Sequence, residues 1–276
     1  MQREWRPRKS LGQNFLVDQN ISRKIVELAA IGPEETVMEI GPGKGALTGL
    51  LCEKAKRVVA VELDSELAAA LPGIVGARNL SVVQQDVLTA NFAELAKKHA
   101  VKRWPIVANL PYVIGSRLLM RLMEHAPVIE RATVMVQYEV AERLLAGPGS
   151  RTYGLLSVLL QATGTLEKGF RVSAECFRPK PKVQSMVFTW HSNPPEGVDL
   201  VMLAETVKAA FNQRRKHLAN ALTRMHDIND VQAHIGCIDA GIDPTVRAED
   251  LGPEEFIRLS ETLAKMKAEN RERERS

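Results

Sequence analysis

The chain has 276 residues, 45% of them hydrophobic and 25% charged. That is the composition of an ordinary globular protein, long enough for one large core or two smaller ones. A formal net charge of +4 and an isoelectric point near 9.0 favour an anionic partner only weakly, because clustering of charge matters more than its sum. Cys52, Cys176 and Cys237 are odd in number and far apart, and the six histidines show no HxxxH or HExxH spacing. Neither a disulfide framework nor a metal site is expected, and a reducing cytoplasm fits. The segment Met1–Arg6 has no apolar signal core, and no apolar run approaches the ~20 residues of a membrane span.

Residues 1–16 are basic and irregular: Arg3, Arg6, Arg8 and Lys9 lead into Gly12-Gln13-Asn14-Phe15-Leu16. Asp18 is placed to cap a helix with Ile21, Ile25 and Leu28 on one face, ended by Gly32-Pro33. The pattern then predicts strand Thr36–Ile40, a glycine turn, helix Ala46–Lys54, strand Arg57–Leu63 and a short helix Leu67–Leu71 stopping at Pro72-Gly73. Strand Leu80–Gln84 leads to Asp86, helix Phe92–His99 follows, and strand Ile106–Ala108 runs into Asn109-Leu110-Pro111-Tyr112. Ser116 can cap a helix that buries Leu118, Leu119, Leu122 and Met123. Next come strand Ala132–Gln137, helix Glu139–Leu145 ending at Gly147-Pro148-Gly149, and helix Tyr153–Gln161. Strands Thr165–Val172 and Val183–Trp190 flank Phe177-Arg178-Pro179-Lys180-Pro181-Lys182. The alternation predicts an α/β fold with a Rossmann-like, doubly wound, mostly parallel sheet.

Asn193-Pro194-Pro195-Glu196-Gly197 is a plausible linker, giving a first domain over 1–193 and a helical domain over 194–276. One helix is expected to carry Leu203, Val207, Phe211, Leu218 and Leu222. Asp243-Pro244 and Gly252-Pro253 resemble helix starts, and the last helix buries Phe256, Leu259 and Leu263. Arg271–Ser276 alternates in charge and is expected to fray.

Ligands of an open parallel sheet sit beyond the carboxyl ends of its strands, where strand order reverses. The first major strand ends in Gly41-Pro42-Gly43-Lys44-Gly45, where glycines permit a sharp bend and close approach to a ligand. Glu62 follows about 20 residues on, where a carboxylate can accept both ribose hydroxyls. Asp86 ends the third strand and can accept from an adenine amino group. Pro42 removes a backbone donor that a pyrophosphate would use, and the turn departs from G-x-G-x-x-G. Both points favour S-adenosylmethionine over NAD. The alternative is a glycine turn in a non-binding α/β domain.

Asn109-Leu110-Pro111-Tyr112 suits a planar amine. The lone pair of an exocyclic adenine nitrogen is delocalised into the ring. Two acceptors aimed at its N–H bonds, the Asn109 carboxamide and the Leu110 carbonyl, would draw it toward tetrahedral geometry. Pro111 stiffens the backbone and Tyr112 offers a ring for stacking. The bland alternative is a tight turn after a strand. Phe177 can cover the other face of an extruded base or simply pack in the core. Arg178, Lys180 and Lys182, with Arg214, Arg215 and Lys216 fanned around a helix, are candidates for contact with an RNA backbone, against the alternative of solvated faces.

In order and spread, these segments resemble the KsgA/RsmA family of ribosomal small-subunit adenine dimethyltransferases. The resemblance runs from Gly12-Gln13-Asn14-Phe15-Leu16 through Gly41-Pro42-Gly43, Asn109-Leu110-Pro111-Tyr112 and Tyr153-Gly154-Leu155-Leu156-Ser157-Val158. It continues through Phe177–Val183, Phe211-Asn212-Gln213-Arg214-Arg215-Lys216 and Gly241-Ile242-Asp243-Pro244 to Arg247-Ala248-Glu249, and so nearly to Leu259. Ser173-Ala174 stands where the family pattern has two prolines, and Gln184 where it usually has Asp. The resemblance implies a class I methyltransferase domain with a small C-terminal helical domain. It implies dimethylation of two adjacent adenosines in the 3′-terminal hairpin of small-subunit rRNA during late ribosome assembly. Carried over by motif, Asn14, Leu16, Gly41, Gly43, Glu62, Asp86 and Asn109 would hold S-adenosylmethionine. Asn109, Leu110, Pro111, Tyr112 and Phe177 would hold the target adenine. The partners would be small-subunit rRNA and the pre-small ribosomal subunit, met by a monomer away from membranes. Two rival assignments are a resistance-type methyltransferase acting on large-subunit rRNA and a non-catalytic RNA-binding assembly factor.

Overall fold

A computed structural model of the chain describes residues 13–275, with side chains to residue 270. Arg3, Arg6, Arg8, Lys9, Gly12 and Ser276 lie outside the described residues. The chain divides into two compact units, one of residues up to Ala141 with Thr165–Asn193, the other of Glu142–Gly164 with Pro194 onward. One crossing between them falls at the Asn193-Pro194 linker. The excursion of 142–164 into the second unit had no signal in its hydrophobic pattern. Its helix buries Leu156, Val158, Leu159 and Leu160, and a helix apolar on several faces does not declare its partner.

The first unit opens with β1 (Phe15–Leu16) and α1 (Gln19–Leu28). Asp18 caps α1 as expected, accepting from the N–H groups of Asn20 at 2.9 Å and Ile21 at 3.2 Å. Then come β2 (Thr36–Ile40), α2 (Thr48–Lys54), β3 (Arg57–Glu62), α3 (Ser65–Val75), β4 (Leu80–Gln84), α4 (Phe92–His99), β5 (Trp104–Asn109), α5 (Gly115–Glu124) and β6 (Ile129–Gln137). α6 (Tyr138–Leu144) and α7 (Leu155–Ala162) precede β7 (Gly164–Val172), β8 (Phe177–Arg178) and β9 (Ser185–Ser192). The main sheet has the order β4-β3-β2-β5-β6-β9-β7. The pairs from β4 to β6 are parallel, and β9 runs antiparallel to β6. The chain therefore moves outward from β2 to β4, then returns to lay β5 on the other side of β2. Val37, Met38, Val58, Val59, Ile106 and Val107 are all fully buried, as strands covered on both faces require.

Several expected bounds shift by one to three residues, and two expectations about helix ends fail for a physical reason. α3 passes through Pro72-Gly73 to Val75 and stops at Gly76, whose φ of +68° makes the left-handed cap. The Gly76 N–H closes the last turn on Pro72 O at 2.9 Å, and the proline is exposed, so the missing donor does not end the helix. Ser116 does not cap α5. It is exposed inside the first turn, and Ile114 precedes the helix with its N–H on Pro111 O at 3.1 Å. Leu118, Leu119, Leu122 and Met123 are buried as expected.

The second unit contains α7, α8 (Leu200–Asn212), α9 (Leu218–Leu222), α10 (Asp230–Asp239) and α11 (Pro253–Arg275). The run from Leu203 to Leu222 is thus two helices, broken by a turn in which Lys216 N–H bonds Gln213 O at 2.8 Å. Asp243-Pro244 starts no helix, because the Asp243 carboxylate captures both the N–H and the hydroxyl of Thr245 at 2.8 Å, a local turn that competes with helix. α10 was not anticipated, although Asn229 and Gln232 form a reciprocal capping box at its start. α11 begins at Gly252-Pro253 as expected and stays helical to Arg275, where fraying had been expected. Phe211 links Tyr153 and Phe256, with ring centroids 6.0 and 5.9 Å apart, and the Tyr153 hydroxyl donates to Leu251 O at 2.9 Å.

Between β6 and β9, Thr133 and Thr189 sit opposite each other with their buried hydroxyls 2.9 Å apart. Thr133→Val leaves the second hydroxyl without its partner and is expected to lower stability by about 1–3 kcal/mol. Adding Thr189→Val recovers most of that loss. Chemical denaturation of both single variants and the double variant measures it.

Candidate active site

A cavity of about 150 Å³ opens at the carboxyl ends of the parallel strands. Its position follows from register. Glu39 pairs with Val107 and Ile40 with Ala108, so the next step brings Gly41 alongside Asn109, at the point where strand order reverses. Gly41 and Gly43 have φ of +66° and +55°, a left-handed backbone that favours glycine. A Cβ on Gly43 would meet the Phe15 ring at 3.1 Å. Lys44 Nζ stands 4.9 Å from the centroid of the same ring.

Glu62 is buried at the end of β3 and its carboxylate is oriented by two backbone donors. Gly43 N–H reaches Oε2 at 3.1 Å and Asp64 N–H reaches Oε1 at 2.9 Å. A carboxylate has about four lone-pair positions, so each oxygen keeps capacity for a further donor. Asp86 follows β4, with Oδ1 accepting from Leu88 N–H at 2.9 Å.

Asn109 is the last residue of β5 and pairs with Met135. The Leu110 N–H extends that pairing to Met135 O at 3.1 Å, and the Leu110 side chain is buried. Pro111 O accepts the Ile114 N–H, which closes the turn. The Tyr112 hydroxyl meets Ser185 Oγ at 2.7 Å, which fixes the ring. Burial raises the Tyr112 pKa above the usual phenol value, and the Ser185 bond opposes the shift.

Phe177 reaches the cavity from β8. β1 and β8 pair antiparallel, Leu16 with Phe177 and Phe15 with Arg178, so this two-strand clip joins the N-terminal wall to the Phe177 wall. Phe177 is 1% exposed and also packs in the cluster of Leu16, Ile25, Val172 and Val187. Its core role and its place in the cavity wall coexist. Asn14, Leu16, Gly41, Gly43, Glu62, Asp86, Asn109, Leu110, Pro111, Tyr112 and Phe177 all line this one cavity.

The candidate cations lie elsewhere. Arg178 donates to Glu175 O at 3.0 Å and Phe177 O at 2.8 Å, Lys180 pairs with Glu175, and Lys182 is exposed. In the second unit, Arg214, Arg215 and Lys216 do not share a helix as expected, since α8 ends at Asn212 and they occupy the turn after it. Arg214 is held by Glu249 at 2.8 Å, while Arg215 and Lys216 are exposed. Among the described residues, no group of three or more His, Cys, Asp or Glu is arranged to hold a metal ion, and no helix is long and apolar enough to cross a membrane.

Gln13, Phe15, Glu39 and Lys44 also line the cavity and had been given no role. Glu39 had a legible signal, a carboxylate inside the apolar run Val37-Met38-Glu39-Ile40. It is 1% exposed, and burial, reinforced by the charge of Glu62, pushes its pKa up to about 8. The Thr48 hydroxyl opposes the shift without closing a well-formed bond, for Glu39 Oε2 and Thr48 Oγ1 are both buried without a partner.

A mostly parallel sheet with a glycine bend after its first long strand and a buried carboxylate at the end of the next is the Rossmann-like methyltransferase fold. The chain belongs to the ribosomal RNA adenine dimethylase family, whose model matches residues 5–265. It is 43% identical over 269 residues to the ribosomal RNA small subunit methyltransferase A of Moorella thermoacetica, covering 93% of this chain and 92% of that one. It is likewise 43% identical over 258 residues to the protein of the same name from Acidobacterium capsulatum, covering 92% and 90%. Among solved structures it is similar to a dimethyladenosine transferase from Plasmodium falciparum, with a TM-score of 0.72 at 26% identity over 89% of this chain and 95% of that one. It is also similar to the 23S rRNA methyltransferase ErmE, with a TM-score of 0.65 at 28% identity over 91% and 100%.

Two outcomes follow from the geometry. Gly43→Ala places an L-residue in left-handed backbone, at about 1–2 kcal/mol, and drives a methyl into the Phe15 ring, so its thermal midpoint should fall. For Glu39 the folded pKa of about 8 lies above the ordinary 4.5. Its contribution is fully favourable below the lower value and is lost as pH rises through the higher one. Glu39→Gln should therefore flatten the decline in stability between those two pH values, as read from urea midpoints in wild type and variant.

Proposed function

We propose that this protein uses S-adenosyl-L-methionine to dimethylate the N6 amino groups of two adjacent adenosines in the 3′-terminal hairpin loop of 16S small-subunit rRNA. The first unit carries the chemistry, the substrate is rRNA within a pre-small ribosomal subunit, the setting is cytoplasmic, and the working form is a monomer. The observation that carries this assignment is the placement of Asn109 beside Gly41 in one cavity, within a chain of the rRNA adenine dimethylase family.

The residues present fit the cofactor. The Glu62 carboxylate, already oriented by two backbone N–H groups, has capacity for the two ribose hydroxyls. Asp86 accepts from the adenine amino group. Asn14, Leu16, Gly41 and Gly43 supply the close-fitting wall. The buried Glu39 Oε2, without a hydrogen-bond partner, leaves polar capacity in the cavity wall that a ligand donor could meet. When bound, the cofactor supplies an electrophilic methyl carbon, taken by the N6 lone pair as the sulfur–carbon bond breaks and leaves a neutral thioether.

The protein's part is to present the nitrogen. Asn109 and the Leu110 carbonyl accept its two N–H bonds and localise the lone pair. Tyr112, fixed by Ser185, stacks on the base, and Phe177 provides a second aromatic surface in the same cavity. Proximity and fixed dipoles carry the catalysis, and the nitrogen sheds its proton after transfer without a strong base. Lys182, Arg215 and Lys216 meet phosphates directly. Arg178, Lys180 and Arg214 join them by exchanging internal partners.

The ErmE likeness admits large-subunit rRNA as a rival substrate, because that fold covers nearly the same chain. The higher identity to small-subunit methyltransferases over nearly the full length favours the first assignment. Primer extension on both rRNAs, with and without this protein, separates the two. Asn109→Ala is expected to reduce methyl transfer to pre-small-subunit particles by about 100-fold or more, and undiminished turnover removes the acceptor assignment. Glu62→Ala should raise the Kd for S-adenosylmethionine by roughly 10- to 100-fold, measured by calorimetry.

A further inference from the structure

Tyr138 begins α6 directly after the carboxyl end of β6, and the Arg171 guanidinium, from β7, lies over its ring with Cζ 4.3 Å from the centroid. Arg171 also donates to the Tyr138 hydroxyl. The backbone ties this pair to the acceptor site from two sides. The Tyr138 N–H bonds Gln184 O at 2.9 Å, and the next residue, Ser185, holds the Tyr112 hydroxyl. Arg171 leads through Val172 into the turn that delivers Phe177. The pair therefore sits beside the cavity without lining it.

The Arg171 charge is engaged by the Tyr138 ring and hydroxyl and not by an acid. Arg131, Lys180 and Arg214 each pair with a carboxylate, whereas among the described residues no carboxylate pairs with Arg171, which is exposed. Tyr138 is half-buried. An exposed guanidinium laid over a part-exposed aromatic ring is a surface on which unstacked RNA bases settle, sequence-tolerantly and with favourable charge.

We infer that Tyr138 and Arg171 form a second base-binding platform, on which the nucleobase next to the extruded adenosine stacks while the first occupies the cavity. This rests on the proposed modification of two adjacent adenosines. Extruding one base from a stack exposes the face of its neighbour, and a platform beside the cavity offsets that loss. It also holds the neighbour ready to enter next.

The test uses the full chain and a single-stranded RNA with two adjacent adenosines, each replaced in turn by 2-aminopurine, whose fluorescence falls on stacking. Binding to wild type should quench the probe at the neighbour position. Tyr138→Leu and Arg171→Ala should abolish that quenching and weaken RNA binding by about 10-fold, with S-adenosylmethionine affinity unchanged as proof of an intact fold. Tyr138→Trp should restore both signals. On pre-small-subunit particles, Tyr138→Leu should raise KM for the particle more than it lowers kcat and reduce the share of doubly modified loops. Quenching and RNA affinity unchanged in both loss variants overturn the platform. A wild type that leaves particles unmethylated while still showing the Tyr138-dependent quenching overturns the substrate assignment and keeps the platform.

Discussion

The parallel pairing of β2 with β5 is the constraint on which the rest of the molecule depends. Parallel strands need a crossover, and here the chain completes β3 and β4 before it returns. That detour leaves a crevice at the carboxyl ends of β2 and β5, where no loop bridges them. The register pairs Ile40 with Ala108, so the left-handed Gly41 and the carboxamide of Asn109 follow side by side and line one cavity. A slip of one residue would turn every side chain of β5 to the opposite face and move Asn109 off the crevice. Ile106, Val107 and Ala108, almost wholly without solvent contact, hold the register.

The carboxylates around this crevice divide the electrostatic work. Glu62 is buried but satisfied by two backbone donors. Glu39 is buried with an unsatisfied oxygen, and its pKa rises accordingly. Two acids on neighbouring strands are thus held differently: backbone donors orient the Glu62 carboxylate, whereas burial without a partner for one oxygen raises the Glu39 pKa. The cations show the same division. Arg131 reaches the carbonyls of Ala29 and Ala30 and the Glu35 carboxylate, which fixes it as a tie between α1 and β6. Arg171 faces outward over a tyrosine.

Much of this was legible from residue order. α4 and β4 have the predicted bounds because Asn91 caps one and the segment from Gly76 to Asn79 precedes the other, with Asp86 just beyond it. The glycine bend, Glu62, Asp86 and the Asn109 tetrad each fall at a strand end, where the alternating pattern places them. The missing parts have physical reasons. β1 and β8 are two residues long, too short for a period to register. The break between α8 and α9 preserves the apolar spacing on both sides, so the pattern reads through it. Phe15 and Lys44 gain meaning only when the bend at Gly43 brings them together, and Arg171 and Tyr138 meet only through the sheet.

The clip of β1 on β8 also bears on how the protein is made. Val17 N–H bonds Cys176 O at 2.9 Å, and Asp18 meets Cys176 across 158 positions of chain. A nascent polypeptide leaving the ribosome N-terminus first has the glycine bend and the Asn109 turn in hand long before residue 177 has been translated. The enclosing wall cannot form until then, so the cavity of an enzyme whose substrate is itself a ribosomal RNA stays unfinished through the earlier part of its own synthesis.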